Sequence, residues 1–127
     1  MKKLTAMLLL LVALTGCQAQ QKQSTELAQP KEFLEKIQTD EGQVIDVRTP
    51  GEYKSGHIKG AKNLHIYDKD FEEQLNTLDK NVPVYVYCKA GGRSAEAVEI
   101  MEQKGFKKII ELDGGMDAWN EAGLPVE

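Results

Sequence analysis

Apolar positions along this chain recur at two spacings, about 3.6 and about 2 residues, so helices should alternate with strands. The clearest strand signal is Val82-Pro83-Val84-Tyr85-Val86-Tyr87, a β-branched and aromatic run without a charge. Shorter apolar runs predict strands over residues 43–47, 63–66 and 107–112. Helical spacing places Phe33, Leu34 and Ile37 on one face of a helix entered at Pro30. It likewise joins Phe71, Leu75 and Leu78 over residues 70–78, and Ala97, Val98, Ile100 and Met101 over residues 93–104. Gly105 then stands where a helix stops. A last helix spans 116–122 and carries Trp119, while 52–61 reads as a polar loop with room for one helical turn. Strands alternating with helices imply an α/β fold, a mostly parallel sheet covered on both faces.

That pattern puts Cys88 at a strand-to-helix junction, between the apolar run and Lys89-Ala90-Gly91-Gly92-Arg93-Ser94. Open parallel sheets bind ligands at the carboxyl ends of their strands, and a helix start there adds free amides and partial positive charge. Glycines 91 and 92 could turn several amides toward one point above the sulfur, and Arg93 adds a planar cationic fork. Such surroundings favour a thiolate and an anion beside it. A cysteine after a strand is often only a small buried hydrophobe. The glycine pair, the arginine and the helix start together favour a reactive one. Asp46 and Arg48, near the same sheet edge, are expected to brace it as an ion pair or hydrogen-bonded pair. Trp119 should pack, and Gly114-Gly115 should turn the chain.

With 127 residues, 41% hydrophobic and 28% charged, the chain has room for one domain with a core. A net charge of −4 without a basic stripe gives nucleic acid nothing to bind. Met1-Lys2-Lys3 and the apolar run to Leu14 have the form of an export signal, too short to span a bilayer as a mature helix. Leu14-Thr15-Gly16-Cys17 resembles the lipobox of bacterial lipoproteins. That resemblance implies a signal peptide over 1–16, lipidation of Cys17, and residence in the bacterial cell envelope on the periplasmic or extracellular side of a membrane. Residues 17–25 are then a lipidated cysteine and a polar tether, and the folded domain occupies 26–127. With Cys17 acylated, Cys88 is the only thiol left and no internal disulfide can form. One cysteine with His57 and His65 shows no zinc spacing, so no metal is expected.

Four stretches in order resemble a single-domain rhodanese. They are Asp46-Val47-Arg48-Thr49-Pro50-Gly51-Glu52-Tyr53, Gly56-His57-Ile58-Lys59-Gly60-Ala61-Lys62-Asn63, the loop from Cys88 to Ser94, and Gly114-Gly115-Met116-Asp117-Ala118-Trp119. The resemblance covers nearly all of 26–127. It implies a rhodanese-like α/β fold and transfer of sulfane sulfur through a persulfide on Cys88. Lys89, Ala90, Gly91, Gly92, Arg93 and Ser94 would then bind the substrate, and His57 would brace its loop. Related phosphatases and arsenate reductases carry one more residue between cysteine and arginine, so the four found here favour sulfur over phosphate chemistry. The expected partners are a small-molecule sulfur donor and a thiol or protein acceptor, with cyanide as acceptor in the test tube. No cofactor is called for, and a monomer suffices. The rival readings are a persulfide carrier without turnover and, behind it, a phosphatase or arsenate reductase.

Overall fold

In the computed structural model, which describes residues 23–127, the apolar run before Cys88 becomes the middle strand of a parallel sheet. The elements in chain order are β1 (Ser24–Ala28), α1 (Pro30–Thr39), β2 (Gln43–Asp46), α2 (Pro50–Lys54), β3 (Lys62–Asn63), α3 (Phe71–Leu75), β4 (Val84–Tyr87), α4 (Gly92–Gln103), β5 (Lys108–Leu112) and α5 (Gly115–Glu121). Among the described residues the sheet has five strands in the order β1-β5-β4-β2-β3, and every pairing is parallel. The expected leader and Cys17 lie outside the described residues.

β4 sits in the middle because both of its faces are apolar. Val84, Val86 and Cys88 face one core with Phe71 and Leu75 of α3 and Ala97, Val98 and Met101 of α4. Tyr85 and Tyr87 face the other, with Phe33 of α1 and Met116 and Trp119 of α5. Burying a side chain of this size contributes about 1.5–3 kcal/mol, so two-sided burial holds the strand's carboxyl end, and the cysteine after it, in a fixed place. α4 stops as its glycine suggested. The Gly105 amide donates to Glu102 O at 3.1 Å and the Phe106 amide to Met101 O at 3.2 Å, the two bonds of a Schellman motif.

Four elements differ from the sequence expectation. Ser24 and Thr25, placed in the tether, begin β1 and pair in register with Lys108 and Ile109. The strand at 63–66 shrinks to Lys62–Asn63; beyond it the Leu64 and Ile66 amides still donate to Asp46 O and Val47 O, at 2.9 and 3.2 Å. α3 ends at Leu75 rather than 78, and the chain continues in tight turns closed by the Thr77 and Leu78 amides. In the region read as a polar loop, α2 begins earlier, at Pro50, on a capping box between Thr49 and Glu52.

Asp46 and Arg48 form the expected pair at the end of β2. The guanidinium donates to both carboxylate oxygens at 2.7–3.1 Å, with Asp46 0% and Arg48 5% exposed. Arg48 also donates to Gly56 O at 2.7 Å and lies over the Tyr87 ring, tying the loop after α2 to the sheet. Removing one partner leaves a buried charge uncompensated. Asp46→Ala should therefore lower unfolding free energy by about 3–5 kcal/mol in a denaturant titration; a loss below about 1 kcal/mol would show the pair to be dispensable.

Candidate active site

β4 releases the chain at Tyr87, and Cys88 follows with its side chain in the core and 1% of the residue exposed. The next residues climb to the surface: Lys89, Ala90 and Gly92 are exposed, and the chain turns back at Gly91 into α4. Gly91 has φ +121°, a conformation that side chains resist, and the turn aims its amide at the Cys88 sulfur, 3.0 Å away. Gly92 has no such backbone demand, so one glycine of the pair does the shaping. Ser94, fully buried in the first turn of α4, has its hydroxyl 3.4 Å from the sulfur. Burial alone would push the Cys88 thiol up. The Ser94 hydroxyl and the amides of Ser94, Gly91 and Ala90 outweigh it and bring the thiol below its ordinary value. The loop is thus a cradle of N–H and O–H groups around one sulfur.

α5 holds this cradle from outside. The amides of Met116 and Asp117 donate to the carbonyls of Cys88 and Lys89 at 2.8 and 2.9 Å. Gly115, at φ +58°, allows the approach, since a Cβ there would lie 2.5 Å from Cys88 O and 2.6 Å from Lys89 O. Gly114-Gly115 therefore does more than turn the chain; it lets one element rest directly on the loop. Trp119 packs as expected, edge-on to Phe33, with its indole N–H donating to Pro125 O at 2.9 Å.

Both loop cations have carboxylate partners. Arg93 makes a two-pronged bond to Glu52 of α2, at 2.7 and 2.9 Å, and Lys89 reaches Asp117 of α5 at 2.9 Å. His57 stacks on Tyr53, donates from Nδ1 to its carbonyl and exchanges backbone bonds with Glu127, so its contacts brace its own loop. Sequence reasoning gave no role to two carboxylates at this site. Glu52 lies at the start of a stretch read as a polar loop, 41 residues before the arginine it pairs with. Glu111 on β5 accepts from the Ser94 hydroxyl at 2.6 Å; its signal was a single carboxylate inside the apolar run Ile109-Ile110-Glu111-Leu112. Among the described residues no group of His, Cys, Asp and Glu could hold a metal ion.

Comparison with known proteins places this geometry. Residues 29–122 match the rhodanese-like domain family. The chain is 28% identical over 91 residues to the thiosulfate sulfurtransferase GlpE of Vibrio cholerae serotype O1, covering 72% of this chain and 84% of that one. It is 38% identical over 88 residues to YrkF, a candidate sulfur carrier protein of Bacillus subtilis (strain 168), covering 68% of this chain but only 46% of that protein. It spans 60% of a second relative in that organism, YqhL, at 36% identity. The crystal structure of a rhodanese-related protein from Thermoplasma volcanium superposes with a TM-score of 0.72 at 32% identity, over 80% of this chain and 97% of that one.

The Arg93–Glu52 pair has a pH signature. The Arg93 guanidinium, with smaller help from Thr49, holds the Glu52 carboxyl down from 4.5 to about 2. A carboxylate with a depressed folded value stabilises the fold above its unfolded value, and that contribution disappears as pH falls through the folded one. The difference in unfolding free energy between the protein and Glu52→Gln should therefore be constant at neutral pH and shrink between about pH 4.5 and 2. A difference unchanged across that window would mean that the pair contributes no stability.

Proposed function

This chain belongs to the rhodanese-like domain family, and on that premise we propose that it is a sulfurtransferase whose nucleophile is Cys88. The carrying observation is the buried sulfur facing the Gly91 amide and the Ser94 hydroxyl. The amide donates to the sulfur, and the hydroxyl, which accepts from the thiol while its own proton lies on Glu111, donates to the sulfur once the thiolate forms. The thiolate attacks the outer sulfur of thiosulfate; a bond forms between Sγ and that sulfur as the bond to the sulfonyl sulfur breaks, and sulfite leaves with the electron pair. The persulfide left on Cys88 carries one negative charge, which the same amides can hold. An acceptor nucleophile, cyanide in the test tube or a thiol in the cell, then takes the outer sulfur and restores the thiolate. Ala90, Gly91, Gly92 and Ser94 supply backbone donors to the anion. Arg93 and Lys89 act at the rim, each already shared with a carboxylate.

That sharing favours a second reading, in which the domain carries persulfide sulfur between partner proteins with little turnover on free thiosulfate. Neutralised cations attract a dianion weakly, whereas the sulfur cradle is unaffected. In both readings the lipobox-like Leu14-Thr15-Gly16-Cys17 would anchor the domain to a membrane of the cell envelope through a lipidated Cys17.

Thiocyanate formation from thiosulfate and cyanide checks the enzyme reading. The protein should turn over many times and Cys88→Ser should fall to background. At most one thiocyanate per Cys88, ending after a single round, would select the carrier. Activity unaffected by Cys88→Ser would remove the cysteine from the chemistry.

A further inference from the structure

Among the described residues the buried polar and charged ones are Asp46, Arg48, Ser94 and Glu111. Asp46 and Arg48 neutralise one another. Ser94 and Glu111 are left in a line with Cys88, with Sγ 3.4 Å from Ser94 Oγ and Ser94 Oγ 2.6 Å from Glu111 Oε2, all three residues at most 8% exposed. A buried carboxylate near the carboxyl end of a central strand is costly to keep unless it serves something. The Ser94 hydroxyl has one proton, and of its two acceptors, Gly91 O at 3.1 Å and Glu111 at 2.6 Å, the carboxylate is the nearer.

We propose that Glu111 is the proton-holding and positioning partner of Cys88, connected to it through the Ser94 hydroxyl, so that the thiol ionises by passing its proton into the sheet rather than out to solvent. The proposal rests on the reading of Cys88 as the nucleophile. In the step, the S–H bond of Cys88 breaks and its proton joins Ser94 Oγ while the proton of Ser94 joins Glu111 Oε2. Ser94 ends as it began, now donating to the thiolate, and the three groups together keep one negative charge. The thiolate then forms its bond to the outer sulfur of the donor with Glu111 neutral. The proton returns by the same route when the sulfur has been passed on and the thiol re-forms.

The surroundings fit. Burial raises the Glu111 carboxyl against the Ser94 bond, and Asp113 at the end of the same strand adds to the rise. The Cys88 thiol moves the other way, so the proton affinities of the two groups approach one another. Leu27 of β1 and Val86 of β4 are the residues beside Glu111 in the sheet, and neither titrates. Arg93 and Tyr67 act electrostatically on Cys88 from α4 and from the loop after β3, and Glu52 pairs with that arginine.

Two groups sharing one proton titrate as a unit. The test is the rate of Cys88 alkylation by iodoacetamide against pH on the full chain, read at the Cys88 peptide by mass. Thiolate should appear in two steps: a lower one as the pair gives up its first proton while Glu111 keeps the other, and a higher one as the second leaves. Glu111→Gln and Ser94→Ala should each lose the lower step and leave a single one, and Ser94→Thr should restore both. A single step in the wild-type protein overturns the proposal whatever the variants do, as do two steps retained in a folded Glu111→Gln or Ser94→Ala. Thiosulfate turnover measured alongside separates the two readings. A two-step profile without turnover keeps the Glu111 line and removes the enzyme reading in favour of the carrier, and turnover with a one-step profile keeps the enzyme reading and removes the Glu111 line.

Discussion

A sulfur with almost no exposure to water can carry negative charge only if protein donors take water's place, and this requirement organises the molecule around Cys88. β4 delivers the residue to the sheet's carboxyl edge because its own side chains are buried on both faces. Gly91 turns one amide back onto the sulfur, and Ser94 supplies a hydroxyl from the first turn of α4. The amide is fixed by backbone geometry and need not reorganise when charge appears, while the hydroxyl has only to turn from Glu111 to the sulfur. α5 completes the frame by donating two amides to the loop's outward carbonyls across the gap that Gly115 keeps open. The cradle is held from below by the sheet and from the side by a helix terminus.

Charge at the site is balanced more closely than a count of cations suggests. Arg93 lies on Glu52, Lys89 on Asp117 and Arg48 on Asp46. Donors from the backbone remain, and they stabilise a small anionic sulfur without requiring a strongly positive mouth. This balance suits a site that takes up sulfur and gives it to a nucleophile, since a persulfide held too tightly by cations would be a poor donor. Beside it the rim residues Lys89, Ala90 and Gly92 are exposed.

The parts legible in sequence were those set by local chemistry. An uncharged β-branched run announced β4, helical spacing and Gly105 marked α4 and its end, and the junction between them located Cys88. β1 escaped because four of its five residues are exposed and it joins the sheet by backbone pairing at an edge, which leaves no alternation to read. Glu52 and Glu111 escaped for a different reason. Their partners, Arg93 and Ser94, lie 41 and 17 residues away in the chain, and only the parallel crossovers bring them together. Arg93 was expected to face an anion; its bond to Glu52 is a tertiary fact that no local pattern encodes.

The most direct check on the central claim is the intact mass of the protein after incubation with thiosulfate and removal of small molecules, followed by peptide mapping. A gain of one sulfur atom, confined to the peptide holding Cys88 and released by cyanide, is what a persulfide-forming cradle predicts. An unchanged mass from a protein whose Cys88 still reacts with an alkylating agent would contradict it.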